Sequence, residues 1–293
     1  RSRNGGINFE PVFEDHCQAI GSIAIDQARP DTVWVGTGES WVRNSVSVGD
    51  GIYKTVDGGK TWKNMGLADS ERIGEIIVHP TEPDIVYAAV LGHLWNANEE
   101  RGLFKTTDGG ETWEKILYID ENTGCSDIAM DPQEPDILYA CMWQFRRSPD
   151  FFESGGPGSG LHKSMDGGKT WKKLSNGLPE GELGRISIAV MPSRTSVLYA
   201  AVESEKSAFY RSDDLGESWH QTSDHKSITG RPFYFSHLVP DPQDHNRIYK
   251  MNTFILVSND GGKLFNGVGG WVHADGHALW INPNDPRHLV LGT

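Results

Sequence analysis

The hydrophobic and polar positions of the chain form short apolar runs that each end in a polar turn. Six runs of this kind occupy residues 22–26, 75–80, 127–132, 187–192, 237–242 and 278–283, and five of them end in Pro. A second apolar run follows each one after a few residues, at 33–36, 85–89, 137–140, 197–200, 247–250 and 288–291. Because near-continuous apolar runs are typical of strands buried on both faces, these pairs predict two inner strands per repeat.

An eight-residue polar turn recurs between the apolar pairs, and we call each copy a box turn. Its order is a hydroxyl residue, any residue, Asp, two Gly, a polar residue, Thr or Ser, and an aromatic. It occupies residues 55–62, 106–113, 164–171 and 212–219, with degraded copies at 258–265 and 2–9. The Asp accepts backbone hydrogen bonds and the Gly residues allow positive φ, so the segment predicts a hairpin turn between two further strands. The structural aspartates are Asp57, Asp108, Asp166, Asp214 and Asp260.

The spacing of the box turns predicts the fold class. Their third positions lie 46 to 58 residues apart, and four antiparallel strands with a period near 40–50 residues are typical of β-propeller blades. We therefore predict an all-β protein, a single β-propeller domain over 1–293. Its five full repeats are 14–66, 67–118, 119–176, 177–223 and 224–267, with partial repeats at 1–13 and 268–293. The partial repeats either join as a sixth blade or mark a fragment of a larger propeller; a missing third strand favours the fragment.

Composition excludes several classes of partner. The 293 residues carry a net charge of −13 and no basic run, so nucleic acid is not an expected partner. No apolar stretch approaches the roughly 20 residues that span a bilayer. Of three cysteines, Cys125 and Cys141 fall on adjacent predicted strands, but buried free thiols are favoured over a disulfide.

Propeller topology separates two sets of connections. Turns between strands one and two and between strands three and four share one face, whereas the longer connections share the other, at 37–50, 91–101, 142–159, 222–236 and 266–275. Long irregular loops on a rigid scaffold usually carry binding sites. The predicted ligand contacts on them are Trp41, Arg43, His93, Trp95, Trp143, Arg146, Arg147, Arg231 and Tyr234. Aromatics beside arginines suit a glycan or a peptide with a charged end, although they would also serve simply to cap the propeller.

The sequence His273-Ala-Asp275-Gly-His277 is the densest cluster of metal-ligating types. In an extended segment these alternate residues share a face, and His237 would add a fourth ligand for a divalent metal. The alternative is a polar cap over the central channel, and no other cofactor is indicated. The same loop carries Trp271. The carboxylates considered as general acids or bases are Glu39, Asp50 and Asp275, but no recognisable pair assigns a catalytic residue.

The box turn resembles the Asp-box, or bacterial neuraminidase repeat, of sialidases, xyloglucanases, sortilin-like receptors and photosystem assembly factors. This resemblance implies a β-propeller with the boxes away from the ligand. The segments VWVGTGE, GDGIYKTVDGGKTWKNMGL, IGEIIVHP, RGLFKTTDGGETW and HADGHALWINPNDPRHLVLG are similar to bacterial envelope proteins described as sortilin-like or glycosyl-hydrolase-like. That similarity implies a secreted, periplasmic or cell-envelope setting and further domains in a longer parent chain.

Three functions remain open at this point. The preferred one is a ligand-binding or assembly scaffold that binds a glycan or peptide on the loop-bearing face, since no catalytic pair is recognisable. The alternative is a glycoside hydrolase, either sialidase-like, which needs three convergent arginines, or xyloglucanase-like, which needs two opposed carboxylates. The third is a metal-dependent hydrolase that uses the His273, Asp275 and His277 cluster.

Overall fold

The computed structural model of the chain describes residues 1–268 and 273–293 and consists almost entirely of antiparallel strands. The first sheet contains β1 (Ile20–Ile25), β2 (Val33–Thr37), β3 (Ile52–Thr55) and β4 (Lys63–Asn64). The second contains β5 (Ile73–Val78), β6 (Val86–Val90), β7 (Gly102–Thr106) and β8 (Glu114–Leu117). The third contains β9 (Thr123–Met130), β10 (Leu138–Arg147), β11 (Phe152–Ser154), β12 (Gly160–Ser164) and β13 (Lys172–Leu174).

The remaining strands repeat the arrangement. The fourth sheet contains β14 (Leu183–Val190), β15 (Leu198–Ser204), β16 (Ala208–Ser212) and β17 (His220–Ser223). The fifth contains β18 (Leu238–Pro240), β19 (Ile248–Lys250), β20 (Leu256–Ser258) and β21 (Asn266–Gly267), and a two-stranded sheet of β22 (Ala278–Ile281) and β23 (Leu289–Gly292) follows. In the described residues, helical structure is limited to a 3-10 turn, Ala68–Ser70, and helix α1, Lys226–Thr229. The predicted β-propeller is thus confirmed.

The two partial repeats do not join into a sixth four-stranded sheet within the described residues. Segment 1–13 forms no strand, and β22 and β23 pair with each other alone. The N-terminal segment instead packs on the first sheet, where Trp62 Nε1 donates to the carbonyl of Val12 at 2.6 Å and the ring of Phe13 lies 4.9 Å from that of Trp62. The ring closure considered from sequence is therefore not observed.

An apolar cluster fills the space between each pair of neighbouring sheets. Between the first and second sheets, Trp34 is fully buried and meets Trp113 edge to face at 6.3 Å. Trp113 is the aromatic of its box turn, and its Nε1 donates to the carbonyl of Met65 in the preceding sheet at 2.8 Å. The box aromatic therefore packs between neighbouring repeats, where burial of apolar area drives the sheets together.

The box turns share one hydrogen-bond pattern. In the second copy, Thr106 donates to Asp108 at 2.7 Å and accepts from Gly110 N at 2.9 Å, while Asp108 accepts from the amide and the hydroxyl of Thr112 at 3.0 and 2.6 Å. The Thr112 hydroxyl bond holds the pKa of Asp108 well below its usual range. Copies with the same first-to-third and fifth-to-first bonds begin at Thr55, Ser164, Ser212 and Ser258.

The degraded copies keep this geometry in spite of their sequence changes. At the N-terminus, Asn4 replaces the Asp and accepts from Asn8 N at 3.0 Å. In the fourth copy, Leu215 replaces the first Gly and has a φ of 60°, a conformation that costs a non-glycine residue about 1–2 kcal/mol. The surrounding bonds therefore impose the turn even where the local residue disfavours it.

The two sets of connections lie on opposite faces, as the topology predicts. In each of the five sheets, a box residue donates its amide to a carbonyl in the turn between the first two strands, at 2.9–3.0 Å. These pairs are Gly58 with Asp31, Gly109 with Asp84, Gly167 with Asp136, Leu215 with Ser196 and Gly261 with Asn246. The long loops meet at the other end, where Val42 N donates to the Phe233 carbonyl across the molecule at 3.1 Å.

The three cysteines are free thiols: Cys125 and Cys141 are buried and Cys17 is half-buried. This agrees with the prediction from sequence. No helix in the described part of the chain is both long and apolar enough to cross a membrane.

The box hydroxyl offers a test of what holds the scaffold. Replacing Thr106 by Val removes a nearly fully buried hydroxyl that serves both Asp108 and Gly110 N, and we expect a loss of about 1–3 kcal/mol in the free energy of unfolding. Thr81→Val, at an exposed turn, is the matched control and should be near neutral. Equal denaturation midpoints for both variants in urea would contradict the role assigned to the box.

Candidate functional site

The loop-bearing face gathers an aromatic group around Trp41. Its ring centroid lies 4.6 Å from that of His277, 5.6 Å from His237 and 6.1 Å from Tyr234. Phe235 in turn stacks on His277, with the two ring centroids 5.3 Å apart. We call Trp41, Tyr234, Phe235, His237 and His277 the mouth cluster; it joins the loop after β2 to the segments that precede β18 and β22.

Two arginines border the mouth cluster. The guanidinium carbons of Arg43 and Arg231 lie 5.9 and 5.0 Å from the centroid of the Tyr234 ring. Arg43 Nε donates to Glu39 at 2.6 Å, and Glu39 also accepts from Ser47 N at 3.2 Å. Four of the predicted ligand contacts, Trp41, Arg43, Arg231 and Tyr234, are thus brought together although they lie far apart in sequence.

The other predicted contacts form a separate group on the loops of the second and third sheets. His93 Nε2 lies 3.0 Å from the Asp69 carbonyl, and Arg146 donates to the Trp95 carbonyl at 3.2 Å. Trp95 is 46% exposed. The guanidinium of Arg147 lies over the ring of Phe152 at 5.4 Å. In the described residues these side chains do not contact Trp41 or Tyr234 directly. The ring of Phe152 lies 5.3 Å from that of Phe233, which lies beneath Arg231, so the two groups adjoin through aromatic rings.

Trp143 is not a surface contact, and this prediction is wrong. The sequence places residues 142–159 in a loop, but β10 continues to Arg147 and pairs there with β11, so Trp143 lies within a strand. It is fully buried, 4.6 Å from the ring of Phe145, and its Nε1 donates to Ser154 Oγ at 3.1 Å. The guanidinium of Arg185 lies between Trp143 and Trp41, 5.0 and 5.8 Å from their rings.

The predicted metal cluster does not form. Asp275 has a φ of 66° and its amide donates to the Thr253 carbonyl at 2.9 Å, so the segment turns there and alternate residues no longer share a face. His273 is exposed, with Nδ1 2.7 Å from the Ala274 carbonyl, whereas His277 belongs to the mouth cluster together with His237. Residues 1–268 and 273–293 contain no group of three His, Cys, Asp or Glu side chains placed to hold a metal ion. Trp271 lies outside the described residues.

The proposed catalytic carboxylates are engaged in local hydrogen bonds. Glu39 pairs with Arg43, and Asp50 accepts from the Tyr53 hydroxyl at 2.7 Å and from the Thr37 hydroxyl at 3.2 Å. Asp275 acts on His277, where its charge raises the pKa against the larger lowering caused by burial. None of the contacts of Asp50 connects it to the other two carboxylates, so the structure does not present these three as one catalytic group.

Polar residues on the inner strands form a site that the sequence reasoning missed. The same position, at the start of the inner apolar run, is occupied in the first five repeats by Ser22, Glu75, Asp127, Ser187 and His237, and in the sixth by Ala278, which directly follows His277. A cavity of about 620 Å³ is lined by Trp41, Ser22, Glu75, His237 and His277, and a second of about 240 Å³ by Glu75, Asp127 and His237. We call the five polar residues Ser22, Glu75, Asp127, Ser187 and His237 the axial ring. A charged residue recurring at one position of an apolar run is the signal that could have found them.

Hydrogen bonds in the axial ring tie neighbouring sheets together. Ser22 Oγ donates to Glu75 Oε1 at 3.1 Å and accepts from Ile76 N at 3.0 Å. Asp127 Oδ2 accepts from Ile188 N at 3.0 Å. Burial raises the pKa of Glu75 to about 8, with a contribution from the nearby Asp127 charge, and raises that of Asp127 to about 7. Burial also lowers the pKa of His237 to about 3 and that of Lys250 to about 7.

The raised pKa of Glu75 predicts that replacing this carboxyl by a neutral group increases the free energy of unfolding, and that the increase depends on pH. Below the unfolded-state pKa near 4.5, Glu75 is protonated in both the folded and the unfolded protein. As pH rises from there to the folded-state pKa of about 8, the unfolded protein releases this proton more readily, so the free energy of unfolding of the wild type should fall over this range. We expect Glu75→Gln to match the wild type at about pH 5 and to exceed its free energy of unfolding by more than about 1 kcal/mol at about pH 8.5. Urea denaturation at both pH values measures this difference.

His237 and Lys250 have lowered pKa values, so their contributions to the free energy of unfolding change with pH in the opposite direction to that of Glu75. Both residues are present in the variant and in the wild type, so these contributions cancel in the difference. Glu82→Gln, on an exposed turn, should behave like the wild type at both pH values. A Glu75→Gln protein less stable than the wild type at the higher pH would contradict the predicted sign.

Comparisons with known proteins agree with the fold. A xyloglucanase of Hypocrea jecorina is 27% identical over 64% of this chain and 21% of its own length, and xyloglucanase Xgh74A of Acetivibrio thermocellus is 26% identical over 91% of this chain and 36% of its own. A crystal structure of an ancestral GH74 enzyme superposes with a TM-score of 0.67 at 16% identity, over 94% of this chain and 34% of that one. The chain therefore spans only about a fifth to a third of the length of these proteins.

Residues 50–206 match the family profile Sortilin-Vps10, described as sortilin, neurotensin receptor 3. The matched stretch includes the second and third sheets and most of the fourth. It supports the similarity to sortilin-like proteins noted in the sequence. Since the match covers more than half of the 293 residues, the chain belongs to the Sortilin-Vps10 family.

Proposed function

We propose that the loop-bearing face binds an oligosaccharide and that the mouth cluster is its contact surface. The observation that carries this proposal is the position of Trp41, which lines the 620 Å³ cavity while its ring lies beside Tyr234 and His277. Cavities of roughly 300–1,000 Å³ that combine aromatic walls with a few polar groups are typical ligand sites. Ser22, Glu75 and His237 are the polar groups of this one.

The chemistry of the surface suits a neutral glycan. The faces of Trp41 and Tyr234 provide apolar area for the C–H faces of a sugar ring, and Arg43 with Glu39 supplies adjacent donors and acceptors for hydroxyl groups. Because Arg43 already has a carboxylate partner, a charged ligand gains less from it. The names of the relatives, which are xyloglucanases, make xyloglucan oligosaccharides the ligand class that we propose.

Removal of the Trp41 ring tests this assignment. We expect Trp41→Ala to weaken the binding of xyloglucan oligosaccharides roughly tenfold or more, the equivalent of about 1.4 kcal/mol, as measured by isothermal titration calorimetry. Trp280→Ala removes an exposed tryptophan from β22 and should leave the affinity unchanged.

Trp41 also contacts the buried Arg185, so the variant requires a check of its fold by circular dichroism and thermal unfolding. If the folded variant binds as tightly as the wild type, the mouth cluster is not the contact surface. Saturable binding of peptides, with no binding of any glycan, would replace the oligosaccharide with the peptide alternative.

Glycoside hydrolysis is the second candidate, and the xyloglucanase relatives favour it. It requires two carboxylates in one cleft, about 5–10 Å apart. Against it, the hydrogen bonds of Glu39 and Asp50 commit both groups to holding the loop after β2. We expect the chain to bind xyloglucan without releasing reducing ends; release that is lost in both Glu39→Gln and Asp275→Asn would establish hydrolysis instead.

The proposed ligand implies a cellular location for the protein. Xyloglucan is a polysaccharide that a protein meets outside the cell, so we propose a secreted or cell-envelope location. We also propose that residues 1–293 act as one propeller domain, with further domains of a longer parent chain as partners. Fractionation of the native source and limited proteolysis would test these two points.

A further inference from the structure

Three arginines are buried behind the mouth cluster without a carboxylate partner. Arg72 and Arg101 are fully buried and Arg185 is 3% exposed. None of them forms a salt bridge in the described residues, whereas exposed or half-buried arginines such as Arg43 and Arg29 pair with Glu39 and Asp26. We call Arg72, Arg101 and Arg185 the buried arginine cluster.

Two members of this cluster have partners at terminal nitrogens, although the Nε of each is buried without a hydrogen bond in the described residues. Arg101 donates to the carbonyls of His93, Asn96 and Asn122 at 2.7–3.3 Å. Arg185 donates to the Phe233 carbonyl at 3.2 Å and lies between two tryptophan rings. Backbone carbonyls and aromatic faces therefore offset much of the charge of these two guanidinium groups.

Arg72 is different, because most of its guanidinium has no partner. Its Nε donates to the Gly92 carbonyl at 2.7 Å, but Nη1 and Nη2 are buried and make no hydrogen bond in the described part of the chain. The hydroxyl of Ser70, two residues earlier and also fully buried, has no partner either. Buried polar groups are almost always hydrogen-bonded, so the two unpaired guanidinium nitrogens point to an acceptor beside them, and the Ser70 hydroxyl, two residues away along the chain, is a further donor without an acceptor.

The charge of this region has the sign that an anion requires. Arg72 and Arg101 lie over the same ring, 5.1 and 4.4 Å from the centroid of Phe145. Burial and the charge of Arg101 lower the pKa of Arg72 to about 9, which still leaves the group protonated at neutral pH. Glu71 and Glu39 act on it only from a distance, since Glu71 lies beside His93 and Glu39 is paired with Arg43.

We propose that Nη1 and Nη2 of Arg72 hold a small monovalent anion of the chloride type, with Ser70 as a further donor. An uncompensated buried charge is strongly unfavourable, and an anion would compensate it without any change in the fold. The complete burial of Arg72 favours a monatomic ion over a larger ligand such as a glycan or a peptide carboxylate. The ion is therefore a structural component, independent of the ligand proposed for the mouth cluster.

Bromide substitution tests the position of the ion. Wild-type protein crystallised with bromide in place of chloride should show an anomalous peak within hydrogen-bond distance of Nη1 or Nη2 of Arg72. A map with no peak there, or with a peak only at exposed lysines or arginines, would overturn the proposal.

Stability in solution tests whether the ion belongs to the folded protein. At constant ionic strength, replacing gluconate with chloride should raise the midpoint of wild-type thermal unfolding by about 3 °C, because a ligand bound only to the native state stabilises it. Arg72→Met keeps the length of the side chain and removes the charge, so it should lose this chloride dependence. Arg287→Met, at an exposed arginine paired with Asp285, should retain it.

If Arg72→Met fails to fold, the bromide map and the wild-type chloride series still decide the question. A wild-type protein whose unfolding midpoint does not respond to chloride would contradict the inference. This holds even if bromide occupies the position, because the ion would then be adventitious.

Discussion

The hydrogen bonds inside the box turns are the constraint on which the rest of the molecule depends. A hydroxyl and an Asp together satisfy the backbone amides of a tight turn, and the same turn then donates an amide to the neighbouring connection in its own sheet. Hairpins built in this way end at a fixed place and leave little freedom in strand register. All the variable connections are consequently confined to the opposite face, where the proposed binding surface lies.

The scaffold was largely predictable because it repeats. The box spacing and the paired apolar runs predicted the four-stranded sheets. The copy with Asn4 in place of Asp keeps the turn bonds, although no strand flanks it. The errors lie where the repeat is interrupted. The sequence placed Trp143 in a loop, whereas the second strand of the third repeat is several residues longer and pairs with β11. The repeat period does not predict this insertion.

The candidate site was predictable only in part, because it depends on contacts between distant loops. Trp41, Arg43, Arg231 and Tyr234 were each recognisable as residues of a binding type, but only the folded chain shows that they adjoin one another and not Trp95. The metal hypothesis for His273, Asp275 and His277 assumed an extended backbone, and a single positive φ at Asp275 invalidates it. Short-range patterns predict repeated elements well and the path of an irregular loop poorly.

The axial ring shows that the repeat of the backbone does not extend to its inner lining. Equivalent positions on the inner strands carry two serines, one glutamate, one aspartate, one histidine and one alanine, although the box-turn hairpins are nearly uniform. The sheets thus differ in the side chain that each places towards the axis, while the architecture is maintained elsewhere. Single substitutions at these inner-strand positions can therefore change the polarity and charge around the axis one residue at a time, while the residues that determine the hairpins stay the same.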